Sequence, residues 1–109
     1  MEEFVILFFG GAPEYPSEMS AHYEAYGKFM DVLNAGQHFK SGLPVENATG
    51  RQVTQESIDD QGAFLTQKNK LGGVMVIQAK DIDEAAKLCQ HNPILQNGGR
   101  VIVHPLKSM

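Results

Sequence analysis

The sequence has a single cysteine, few basic residues and no long apolar run. Each shortage excludes something. Cys89 has no second cysteine to pair with, so the chain is not a small secreted scaffold stapled by disulfides. Nine Lys and Arg are scattered among thirteen Asp and Glu, for a formal net charge of -4 and a pI of about 5.4. Nucleic acid and anionic membranes both call for a basic face, so neither is an expected partner. The opening MEEFVILFFGGA carries only a short apolar stretch behind Glu2 and Glu3. A secretory leader starts with positive charge and a membrane span needs roughly twenty apolar residues, so we expect a cytoplasmic, soluble protein. Internal repeats, low-complexity tracts and linkers are also missing. The 109 residues fit one domain, 1–109.

What is present reads as alternating strands and helices. Phe4 to Phe9, FVILFF, is apolar at every position, which marks a strand buried on both faces. Ser17 is placed to cap the next helix, with Glu18 in its first turn. Met19, Tyr23, Tyr26, Met30 and Leu33 recur at three- and four-residue steps and predict an amphipathic helix ending near Ala35-Gly36, with Glu24, Lys28 and Asp31 opposite. HFKSGLPV predicts a short strand, and the polar ENATGRQVTQESIDD an exposed hairpin. LGGVMVIQA predicts a second strand buried on both faces. Asp81 and Glu84 give a capping box for a helix with Ile82, Ala85, Ala86 and Cys89 as its stripe. Pro93 and Asn97-Gly98-Gly99 then turn the chain into a last strand, RVIVHPL.

Two strand–helix–strand units predict an α+β, ferredoxin-like antiparallel sheet with both helices on one face. Three of its strands are apolar on both sides, and two helices cover only one. The bare face would exceed the apolar patch that soluble monomers tolerate, so a second copy of the chain is the expected cover. A fold-back of the polar hairpin is the alternative.

The stretch QGAFLTQKNKLGG, residues 61–73, has two glycines beside basic and amide side chains. A phosphate-binding loop follows a strand and opens a helix, whereas Gly72-Gly73 lead into a strand and no Gly-Lys-Ser/Thr follows. These glycines instead predict close backbone approach or a bulge.

QGAF, the polar run after it and LGG before an apolar strand resemble the YCII-related (DGPF-type) family. AKDIDEAAKL, NPIL, GGRVIVHPL, Pro16-Ser17-Glu18-Met19, Ala25-Tyr26-Gly27-Lys28-Phe29 and Gly42-Leu43 extend the resemblance over nearly the whole chain. It implies a dimeric α+β barrel in which two ferredoxin-like sheets face each other. Gln61 stands where the motif has Asp, and Ala63 where it has Pro. An amide does not titrate, so an acid or base role of that Asp does not carry over. Some relatives pair a His on the first helix with an Asp at the following turn. Here His22 matches, but Asn34-Ala35-Gly36 offers no carboxylate, and Asp31 faces solvent.

His22, at the edge of the apolar stripe and one turn from Tyr26, is the candidate acid or base, with Tyr26 assisting. The competing reading is a histidine held by a structural hydrogen bond. Tyr23, Gln61, Phe64 and His104 are the candidate ligand contacts, although tyrosines on such a face also serve as core. Arg51, Lys68 and Lys70 form either a positive rim or a solvated run. No histidine pair shows metal-ligand spacing, no Gly-x-Ser-x-Gly elbow occurs, and Cys89 has no adjacent base. We therefore expect no cofactor and no metal. The expected function is small-molecule binding in a homodimer, with acid/base chemistry of isomerase or lyase type on a small organic ligand. The alternative is a non-catalytic dimeric module. The resemblance leaves that open, because some relatives are joined to or encoded beside alternative sigma factors.

Overall fold

The computed structural model describes residues 1–11, 16–46, 50–60 and 70–107. The elements run β1 (Glu2–Phe9), α1 (Pro16–Ala35), β2 (Phe39–Pro44), β3 (Arg51–Val53), β4 (Ile58–Asp60), β5 (Leu71–Ala79), α2 (Ile82–Cys89), a 3-10 turn (Pro93–Asn97) and β6 (Arg100–Pro105). The main sheet has the order β2-β5-β1-β6, antiparallel at every pairing. This is the ferredoxin-like arrangement expected from the sequence. Each strand–helix–strand unit skips over one strand of the other. Pro105 closes β6 at a sheet edge, where its missing N–H breaks no ladder.

Register sorts the apolar strands into two faces. Phe4 lies opposite Ile77 and Ile6 opposite Met75. All four are buried and pack with Phe29, Leu33, Ala85 and Cys89 from the helices. Full burial of each large side chain stabilises by about 1.5–3 kcal/mol. Between them Val5 and Leu7 alternate to the second face, opposite Val76 and Val74 on one side and His104 and Ile102 on the other. These second-face residues of β1 and β5 are only half-buried. Among the described residues, neither hairpin strand packs closely on the main sheet. β3 and β4 form their own two-stranded sheet, in which Val53 and Ile58 are 69% and 71% exposed.

The helices differ from expectation in phase. On α1 the deepest residues are Phe29 and Leu33, whereas Tyr23 is 65% exposed. Ser17 lies within the helix, which begins at Pro16, so it is not the cap. Glu24, Lys28 and Asp31 are exposed as expected. On α2 Ala85 and Cys89 face the core, but Ile82 is 45% exposed and Leu88 takes its place against the core. Asp81 Oδ1 accepts from Glu84 N at 2.9 Å, and Glu84 Oε1 reaches back to Lys80 N, also at 2.9 Å. The return bond of the capping box thus falls one residue before the cap. Among the described residues no helix is long and apolar enough to cross a membrane.

Candidate functional site

Gly72 and Gly73 sit inside β5, with no helix after them. Gly72 is the bulged residue, since Phe8 pairs with Gly73 and Phe9 with Leu71. A Cβ on Gly73 would lie 3.1 Å from Leu43 O, tight enough that the neighbouring strand would have to give way slightly. Both expectations for this pair hold: a bulge, and a close approach of two backbones.

The glycines also make room. Between α1 and the β2–β5–β1 portion of the sheet lies a half-open cavity of about 630 Å3. Gly10, Gly27, Gly42, Gly72 and Gly73 all line it. The space exists because side chains are missing where helix and sheet would otherwise meet. Phe8, Met30, Phe39, Met75 and Ile94 supply apolar walls. Sequence reasoning did not single out these wall residues, because each comes from a different element.

The polar groups of the cavity come from one helix. His22, Tyr23 and Tyr26 line it together. The His22 ring is 6.2 Å from that of Tyr23 and 6.0 Å from that of Tyr26. Tyr26 in turn meets Phe29 edge-on at 5.7 Å, which fixes its ring against the core. Burial pushes the Tyr26 phenol above its ordinary pKa; the facing Asn92 side chain acts the other way, and Cys89 adds slightly to the rise. The Asn92 amide lies near enough to act on the phenol as a hydrogen-bonding neighbour, yet its Nδ2 closes no full hydrogen bond. His22 is half-buried, and its imidazole makes no hydrogen bond to a described residue. No Asp, Glu, Lys or Arg lines the cavity among the described residues.

The other histidines are elsewhere. His38 Nδ1–H donates to Gln78 O at 2.8 Å, which ties β2 to β5. His104 stands on the second face opposite Val5, across the sheet from His22. His91 is exposed beyond α2. Of the histidines, His22 lines the cavity, and His38 and His104 do not. No three His, Cys, Asp or Glu side chains gather as a metal site among the described residues. Gln61, Phe64 and Lys68 lie outside the described residues.

The YCII-related domain family matches residues 4–107. The chain belongs to that family. Among solved structures, this YCII-related chain is similar to 5-chloro-2-hydroxyhydroquinone dehydrochlorinase (TftG) from Burkholderia phenoliruptrix AC1100, in complex with 2,5-dihydroxybenzoquinone. The two are 19% identical, with 96% of this chain and 93% of that chain covered and a TM-score of 0.57, a likeness of fold. A second similar structure is CPII, a nitrogen regulatory PII-like protein from Thiomonas intermedia K12 bound to ADP, AMP and bicarbonate. It is 18% identical over 96% of this chain and 85% of that chain, with a TM-score of 0.41. No curated protein matches the sequence.

Proposed function

We propose that this YCII-related chain binds a small, flat, oxygenated organic molecule in the cavity beneath α1, and that His22 moves a proton on it. One observation carries this reading: an imidazole without a hydrogen bond to any described residue faces an open, mostly apolar space of about 630 Å3. Small-molecule sites are typically such apolar clefts with a few convergent polar groups. The absence of charge among the described lining residues favours a neutral or weakly acidic ligand over a phosphate.

The chemistry follows from the groups available. His22 takes a proton from a carbon beside a carbonyl, or from a hydroxyl conjugated with the carbonyl of a keto tautomer, and the freed electron pair forms an enolate. Its oxygen accepts a hydrogen bond from the Tyr26 O–H, which stabilises charge as it develops. The imidazolium either returns the proton to another carbon, an isomerisation, or keeps it while the enolate expels a leaving group such as chloride. The scheme draws on no cofactor. That TftG is named a dehydrochlorinase and holds a dihydroxybenzoquinone supports this ligand class.

The same reading includes a homodimer joined through the second sheet face. Its support is the second face itself, where Val5, Leu7, Val74 and Val76 stay only half-buried within one chain, an apolar patch of the kind that marks an interface.

The test is chloride release from 5-chloro-2-hydroxyhydroquinone and related halogenated hydroquinones, with wild type and His22→Ala compared. Turnover that survives His22→Ala would remove His22 from the mechanism. The missing carboxylate beside His22 favours a second reading, a non-catalytic ligand-binding module. Binding of these rings without turnover of any would establish that one.

A further inference from the structure

The Asn92 amide takes no part in the scheme above. It is 2% exposed, the one buried polar residue beside an otherwise apolar core among the described residues. Its Oδ1 accepts from Ile94 N at 3.0 Å and so caps the 3-10 turn, while the Asn92 backbone N–H donates to Cys89 O at 3.0 Å. The first bond fixes which way the side-chain amide points. Its Nδ2 is left buried with no hydrogen-bond partner. Buried amide nitrogens are nearly always bonded, so one left open calls for an explanation.

The side chain that Asn92 faces is Tyr26, which packs down from α1. Tyr26 lines the cavity and Asn92 does not. The phenol therefore stands between the amide and the space a ligand would fill. A phenol oxygen donates one hydrogen and accepts others. If the acceptor side is taken from behind, the hydrogen is directed forward.

We infer that Asn92 is a positioning residue for Tyr26: its spare Nδ2–H closes onto Tyr26 Oη when a ligand engages the phenol, which directs the phenol hydrogen into the cavity toward a carbonyl, enolate or phenolate oxygen. This rests on the reading that the cavity binds a ligand, and it narrows the ligand class. Molecules that present an oxygen acceptor to α1 are favoured. Those that present only donors, such as ammonium groups, compete with the Asn92 amide for the phenol oxygen. The titratable groups facing the phenol are His22 from its own helix and Cys89 from α2.

The experiment separates this inference from the reading beneath it. Tyrosine labelled with 13C at Cζ reports ionisation of Tyr26 in the ligand-free protein, with the resonance assigned through Tyr26→Phe. Asn92→Ser keeps an oxygen for the Ile94 N–H but withdraws the amide donor. Tyr26 should then titrate roughly half a pH unit to one unit higher, because the phenolate loses a stabilising donor. Asn92→Asp has the shape of Asn and keeps the cap, so it serves if the serine variant fails to fold; its shift should be larger. An unmoved Tyr26 titration in either folded variant overturns the inference. In the second arm 2,5-dihydroxybenzoquinone is the probe. Asn92→Ser and Tyr26→Phe should each weaken binding about fivefold to tenfold, and the double variant no further, as expected for groups acting in series. Additive losses overturn the coupling. A wild type that binds none of the probe counts against the proposed ligand class, whereas the titration still decides Asn92.

Discussion

The rings of His22 and Tyr26 stand 6.0 Å apart on successive turns of α1, tilted by 51°, and both face the same cavity. A structural histidine and a working one differ in what their removal does. His22 is half-buried with no hydrogen bond to a described residue, so His22→Ala should change stability by no more than about 0.5 kcal/mol. Turnover of an identified substrate should fall about 10^2- to 10^4-fold. Urea unfolding beside steady-state kinetics checks both. A loss above about 2 kcal/mol would return the imidazole to the core.

Gly27 and Gly11 should respond in opposite ways to a single methyl. Gly27 lies mid-helix, and a Cβ there meets nothing within 4 Å. Gly27→Ala should stabilise by about 0.5–1 kcal/mol by relieving the glycine penalty. Gly11 has φ +76, and its Cβ would lie 2.8 Å from Ile94 Cα and overlap the Ile94 carbonyl. Gly11→Ala should cost about 2–4 kcal/mol through strain and steric overlap. Thermal melts of the two variants measure the contrast. Gly27→Leu, which carries bulk into the cavity, should abolish probe binding without unfolding the chain.

The strands were legible because Phe4–Phe9 and Val74–Ile77 are apolar at every position, a pattern that only two-sided burial explains. The phase of α1 was less so. Tyr23 belonged to the expected stripe, yet it is largely exposed at the cavity mouth while Phe29 lies in the core. Apolar spacing records which side chains leave water or meet a ligand, and it does not separate the two. His22 was legible from its place at the stripe edge. The cavity was not, because its walls come from β1, α1, β2, β5 and the 3-10 turn, and only tertiary packing brings them together. Asn92 drew no reading of its own from the sequence, because nothing local ties it to Tyr26.

Cys89 should shape the alkaline stability of the chain. Burial pushes its thiol from 9.0 up to about 11. The folded state keeps its proton where the unfolded state releases it. The native state therefore loses stability as pH rises from about 9 toward 11, and loses nothing from this group below pH 9. The full loss is on the order of 2–3 kcal/mol, since one unit corresponds to about 1.4 kcal/mol. Urea midpoints at pH 7.5 and pH 10.5 measure it. Cys89→Ala should reduce the difference between the two, though Tyr26, also raised by burial, will leave a residual slope. An equal slope in both proteins would mean that the thiol ionises as freely in the folded chain as in the unfolded one.

Val76 tests what covers the second sheet face. It lies in an inner strand with Val5 on one side and Ser41 on the other. It is half-buried within one chain, so a charge at this position keeps some contact with water in a monomer. Between two sheets the same charge would be desolvated without a partner, at a cost of several kcal/mol per chain. Val76→Glu should therefore retain its circular dichroism and yet weaken self-association by at least about 100-fold. Light scattering would then find twice 12.0 kDa for wild type and 12.0 kDa for the variant. Val53→Glu, on the exposed hairpin, is the matched control and should leave the assembly unchanged. A wild-type chain that stays at 12.0 kDa across concentration would mean that water, not a second copy, meets Val5, Leu7 and Val76.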